Sequence, residues 1–482
     1  MTVTPTMTMH TALTDLAMSG LENWVTRVRW GIAAIVVAAV LGGSGPIAQA
    51  QSSGSIAFTG GRVIPVMGDP IDNAALVIRE GRIAALGPVD QVTIPVEARV
   101  IDATGKTLIP GLIEVHTTSG QDAVNEINPN VPFLSVLDGI NPGLPFFEDA
   151  LRNGVTAAAI FPGDNTLIGG QGAVVKTAGT YVNDMTIVRN AGLKISLRPA
   201  SGRGRMAQLA RLRFELTKAR EQIENDEKER KSQAEKEEAN KGAEADKQDE
   251  TNKEETKKQE TSQDAASPSS GEDTANSADE QRAALVSLLK KQVPAFVSCD
   301  QAMDVPVALA LANEFGFEPI LVLGRDCYKA AQLIGKSKTP AILPPDLIFW
   351  ETDPRTGEDL KRVLPEIFLD AGVPLLFQTS STSSATLGSN FLWYQAALAT
   401  RSGLTDAQAL AAITLEPAKL LKIDNFVGSL EVGKDGDVVM LSGDPLKVGT
   451  WVELTVVNGR VVYDRSNDDK LKRLLEPVKE TK

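Results

Sequence analysis

The stretch LIPGLIEVHTTSG, residues 108–120, constrains the fold of this chain more than any other. A Pro110-Gly111 turn is followed by the β-formers Leu112, Ile113 and Val115, and the run ends on His116. That is how a buried strand delivering an imidazole at its C-terminal tip reads. Alternate residues of a strand share a face, so His116 and Thr118 are expected on the same side.

The flanking sequence alternates between strand and helix periods. Residues 56–107 read as β throughout, in hairpins turning at Glu80-Gly81 and Thr104-Gly105. After His116 come a short helical pattern over 146–153, an apolar strand over 155–161, and the glycine-rich run IGGQGAVVKTAG that carries Lys176. From Val293 onward AFVSCD, PILVLG, PAILPPDLIFWE and VPLLFQTSS alternate with helical patterns, as parallel βα units do. Thr405 and Gln408 form a capping box at the start of a late helix, and the chain closes with a hairpin on Asn458-Gly459.

Taken together, the first strand, the N-terminal hairpins and the C-terminal GSLEVGKDGDVVMLSGDP with VVNGRVV resemble the amidohydrolase superfamily, and most of all its imidazolonepropionase and Xaa-Pro-dipeptidase-like branch. The resemblance implies an α/β fold: a (β/α)8 TIM barrel over residues 111–423, clasped by a small composite β-sandwich domain from residues 56–110 and 424–464. It also implies hydrolysis of non-peptide or cyclic carbon-nitrogen bonds at a metal centre. Strand one of that family reads roughly P-G-x-I-D-x-H-x-H, and here the second histidine is Thr118. Where family members have further histidines on strands five and six, this chain has Ser298 and Asp300, then Leu323 or Gly324. Ser380 falls on the aspartate that ends strand eight.

His116 is thus the one vestigial metal ligand that the alignment retains. The sequence holds two histidines, His10 and His116, whereas a catalytic zinc needs about three or four imidazole or carboxylate ligands. No cofactor is expected to bind tightly, and a divalent metal such as zinc would be held if the site functions. Ser380 and Asp300 are the candidate catalytic residues, working with His116. Ser298, Thr118 and Lys176 are the candidate binding residues; in the family a carboxylated lysine bridges two metals, and the alternative for Lys176 is a surface position. The functional expectation is a hydrolase with a degenerate metal site. The alternative is a non-catalytic binding or partner subunit of an active amidohydrolase homologue, with a small-molecule ligand.

Composition narrows the partners and the compartment. A length of 482 residues, 42% of them hydrophobic, suffices for one large α/β domain and a small one. A net charge of −13 argues against nucleic acid, since nothing would offset phosphate repulsion. Arg198, Arg203, Arg205, Arg211 and Arg213 form a local basic cluster that reads as a solvated helix entrance, with anion binding as the alternative. Residues 221–260 contain 15 acidic and 9 basic side chains and one large apolar one, Ile223. Residues 221–279 therefore read as a low-complexity insertion within the barrel, helical near its start and otherwise disordered.

Arg27 and Arg29 precede an apolar run over 30–41, and Ala48-Gln49-Ala50 suits a signal peptidase. Residues 1–50 are expected to be an export signal, giving a periplasmic or secreted protein with no membrane span after cleavage. An uncleaved membrane anchor is the alternative. If Cys299 and Cys327 lie on neighbouring strands, an exported protein could join them.

Overall fold

The computed structural model describes residues 54–199, 202, 204–246, 282–379 and 390–475. The proposed export signal, part of the charged insertion and Ser380 lie outside them. Residues 53–482 form one compact unit.

Strands β1 (Ile56–Val63), β2 (Ile71–Arg79), β3 (Arg82–Pro88), β4 (Arg99–Asp102) and β5 (Thr107–Pro110) open this unit. The turn between β2 and β3 puts Glu80 and Gly81 at positive φ, as the hairpin reading of Glu80-Gly81 requires. Next come β6 (Leu112–Thr117), β7 (Val155–Ile160), β8 (Ile168–Lys176), β9 (Thr186–Ser196), β10 (Ala295–Cys299), β11 (Pro319–Leu323) and β12 (Ala341–Ile342). A separate hairpin, β13 (Ile348–Thr352) with β14 (Asp359–Val363), follows, and β15 (Val438–Leu441), β16 (Val452–Val457) and β17 (Arg460–Asp464) end the strand list.

Two sheets organise the molecule. One has the order β17-β16-β15-β5-β1-β2-β3, with β4 alongside β1, so the chain's two ends share a single eight-stranded sheet. The join is the antiparallel pairing of β15 with β5, which sets Val439 opposite Ile109 and Met440 opposite Leu108. Phe58, Leu76, Ile78, Ile83, Leu108, Val438 and Val456 from both ends make its core. The other sheet runs β12-β11-β10-β9-β8-β7-β6. The extended residues 373–379 close it into a barrel, since Leu343 N–H donates to Leu376 O and the far side of the same segment meets β6 through Gln378 and Thr379.

The barrel expectation holds, with one departure from a regular (β/α)8 array. β8 runs antiparallel to both β7 and β9, so two hairpins replace two βα crossovers. Alternation along the strands separates two cores. Ile113, Val115, Ala159, Phe161, Phe296, Val322 and Leu376 fill the interior, while Leu193, Ile195, Val297 and Leu321 face the outer helices. Gly172 belongs to this packing, because a Cβ there would stand 2.1 Å from the Phe161 ring.

Among the outer helices, Asp304–Phe315 buries Val305, Ala308 and Leu311, and Asp406–Ala411 carries the capping box foreseen at Thr405 and Gln408. A helix of 42 residues, Arg205–Asp246, leaves the barrel between β9 and β10. Leu212, Leu216 and Ala219 anchor its start, and the charged segment from Glu224 to Lys236 is exposed throughout. The start of the insertion is helical, as its sequence suggested; residues 247–281 lie outside the described part.

Lys176, at the end of β8, fastens the barrel to the terminal sheet. Its ammonium is buried between Asp435 at 2.9 Å and Asp437 at 2.8 Å, and Asp437 also accepts from Asn458 N–H. Removing one partner of a buried pair strands the others' charge, at a cost of about 3–5 kcal/mol. Lys176→Ala is expected to lower the unfolding free energy by that amount in denaturant titration; a loss under about 1 kcal/mol would show the pairing to be dispensable.

Candidate active site

The C-terminal tips of the parallel strands surround a cleft of about 390 Å³, where a barrel of this type carries its site. His116, Thr118, Asp164, Arg198, Ser298 and Asp300 line it, with Arg325, Asp346, Gln378 and Thr379. Of the residues singled out in the sequence, His116, Thr118, Ser298 and Asp300 meet here. Lys176 does not, because antiparallel β8 sets it opposite Ala157, at the start of β7 and the other end of the barrel.

The floor of the cleft is a chain of hydrogen bonds. His116 is buried, its ring stacked on Phe161 and Phe296 at centroid distances of 5.4 and 6.3 Å. Gln378 Nε2 donates to Leu343 O, which turns Oε1 toward His116 Nδ1 at 2.8 Å. Nδ1 must therefore carry the proton, leaving Nε2 with a lone pair. Facing that lone pair at 3.0 Å is Nζ of Lys194, a side chain with no solvent exposure at all. Lys194 also pairs with Asp164 Oδ1 at 2.9 Å, and Ser298 Oγ donates to the same oxygen at 2.6 Å.

The charges follow from these contacts. Burial, and then the Lys194 charge, push the His116 imidazole down to about 3, so the ring is neutral. Burial alone would raise the Asp164 carboxyl, but Lys194 and the Ser298 hydroxyl outweigh it and hold the group well below the usual carboxylate range. Glu114, two residues before His116, is also fully buried; it accepts from Thr379 N–H and, at 2.7 Å, from Thr379 Oγ1. Burial outweighs those bonds and pushes Glu114 up to about 7.

A divalent metal does not fit this donor set. Both ring nitrogens of His116 are engaged, and one faces a cation. Among the described residues, no group of three His, Cys, Asp or Glu side chains is placed to hold a metal ion. At Gly324, aligned with a family histidine, a Cβ would come 2.4 Å from Asp300 O, so no side chain can enter there without backbone movement. Ser380 lies outside the described residues, immediately after Thr379.

The remaining candidates find ordinary partners. Of the basic cluster, Arg205 pairs with Asp304, Arg211 with Glu215 and Arg213 with Glu314, Arg198 lines the cleft, and Arg203 lies outside the described residues. Cys299 and Cys327 are both free and buried, with Cys327 Sγ donating to Cys299 O at 3.0 Å.

Known proteins are similar to this chain in sequence and in fold. A family model described as "Amidohydrolase family" covers residues 388–463. The solved structure of an amidohydrolase from Thermotoga maritima MSB8 superposes with a TM-score of 0.65 at 27% identity, over 85% of this chain and 100% of that one. In sequence and in fold the chain is thus similar to amidohydrolases. Amidohydrolase tasK of Hapsidospora irregularis is 23% identical over 395 residues, 77% of this chain and 38% of that protein. An imidazolonepropionase from Thermoplasma volcanium is 30% identical over 111 residues, 22% of this chain and 27% of its own. The chain thus spans well under half the length of these two relatives.

Lys194, Asp164 and Gln378 were not singled out in the sequence. One signal was available for Lys194: in GLKISLRP it interrupts the apolar alternation of Leu193, Ile195 and Leu197, where a strand residue faces inward.

The two buried groups on β6 impose opposite pH dependences. Below 6.5 the unfolded chain protonates His116 while the folded ring stays neutral, so stability drains as pH falls from 6.5 to about 3. Above 4.5 the unfolded chain ionises Glu114 while the folded carboxyl keeps its proton, so stability is lost as pH rises from 4.5 to about 7. The His116 side-chain resonances should not titrate between pH 8 and 5. Glu114→Gln should gain on the native protein between those same values; a gap in denaturant midpoint that ignores pH would contradict the buried carboxyl.

Proposed function

We propose that this protein is an exported, metal-independent binding member of the amidohydrolase superfamily, taking a small polar ligand at the barrel mouth. The likeness to amidohydrolases in sequence and fold supports descent from hydrolases of carbon-nitrogen bonds. The observation that carries the reading is that the donors a metal would need are spent on one another: His116 on Gln378 and Lys194, Asp164 on Lys194 and Ser298.

Among the described residues, serine chemistry at Ser298 fares no better than metal chemistry. Ser298 donates to Asp164, and a carboxylate held this acidic is a poor base near neutral pH. His116 offers no free nitrogen in its place. What remains is a formed cleft whose rim carries Arg198, Arg325, Asp300 and Asp346, charged groups of both signs. Such a rim suits recognition of a polar molecule, either alone or beside an active homologue.

The full chain, purified without chelators, should contain under about 0.1 equivalent of zinc, manganese or iron by elemental analysis. It should hydrolyse none of a panel of N-acyl amino acids and cyclic amides, while a small-molecule thermal-shift screen should return stabilising polar ligands. Stoichiometric metal whose removal abolishes hydrolysis would refute the reading.

A further inference from the structure

The geometry points to Lys194 as a fixed replacement for a divalent cation, which makes the barrel mouth refuse metal as well as lack ligands for it. This inference rests on the metal-independent reading above and deepens it. Nε2 of His116 has one lone pair, and Lys194 Nζ stands 3.0 Å out along that contact. A metal held by the same nitrogen would lie about 2 Å out, overlapping the ammonium. The second contact is of the same kind: Asp164 Oδ1, 2.9 Å from Nζ, would be the natural carboxylate partner of such an ion.

The lysine cannot step aside. Its side chain is wholly covered, and moving it would break an ion pair whose cation has no access to water. Any incoming dication would also meet a positive charge already in place. The ammonium therefore does for His116 and Asp164 what a metal would otherwise do: it orients both and balances the carboxylate.

Taking the lysine away should consequently expose a latent site. Lys194→His would set two imidazoles and the Asp164 carboxylate around one space, a donor set of the kind that holds catalytic zinc. In the full chain, Lys194→His is expected to take up about one equivalent of Co²⁺ or Zn²⁺ in equilibrium dialysis, at least about 100-fold tighter than the native protein. His116→Ala in the same background should abolish the uptake. A Lys194→His protein with native circular dichroism and native elution volume that binds no metal would overturn the inference while leaving the metal-independent reading intact. Stoichiometric metal in the native protein would overturn both.

A second measurement keeps the native lysine. The sequence contains only His10 and His116, so ¹⁵N-histidine labelling gives at most two ring signals, and the one absent from His116→Ala is the ring of His116. Its Nε2 signal should report an unprotonated nitrogen that zinc chloride does not move. Displacement of that signal by zinc would overturn the inference even if Lys194→His failed to fold.

Discussion

An ammonium with no solvent exposure, deep in the mouth of a barrel, is the constraint to which the rest of this site answers. Leaving water costs a charged group several kcal/mol, and only close, correctly signed partners offset that. Lys194 finds them in Asp164 and the His116 lone pair. Each partner is then fixed by a further bond. Ser298 holds Asp164, and Gln378 selects the His116 tautomer because its own amide is anchored on Leu343 O. Gln378 is held in turn from behind, where its carbonyl accepts from the buried Gln395. Gln395 is the incompletely satisfied member, its Oε1 buried without a hydrogen-bond partner among the described residues.

The fold was legible in the sequence to a greater degree than the site. Pro110-Gly111 before an apolar run, the capping box at Thr405 and the glycine turns report local backbone preferences, and local preferences survive in a single chain read alone. The pairing of β5 with β15 is not local, and residues 56–110 and 424–464 could be placed together only through the family resemblance. The site depended on alignment to a metal centre, which led to Ser298, Asp300 and Thr118 by position. All three do line the cleft. Alignment to vanished ligands says nothing about what replaces them, so Asp164, on the loop after β7, and Gln378, on the extended segment that closes the barrel, went unread. Their roles come from long-range contacts, 30 residues apart for Asp164 with Lys194 and 262 for Gln378 with His116.

The direction of one strand decides which lysine matters. Both Lys176 and Lys194 are buried, and both are paired with carboxylates. β8 runs against its neighbours, so its C-terminal Lys176 arrives at the bottom of the barrel, where Asp435 and Asp437, just before β15, meet it. β9 runs with β10, and Lys194, paired in register with Phe296, arrives below the mouth. A sequence pattern marks a strand but carries no sign for its sense, and the hairpins at both ends of β8 set that sense. The same reversal that gives the barrel its structural clasp at Lys176 also orients β9 to deliver its ammonium to His116. Stability at one end and exclusion of metal at the other therefore come from a single topological choice.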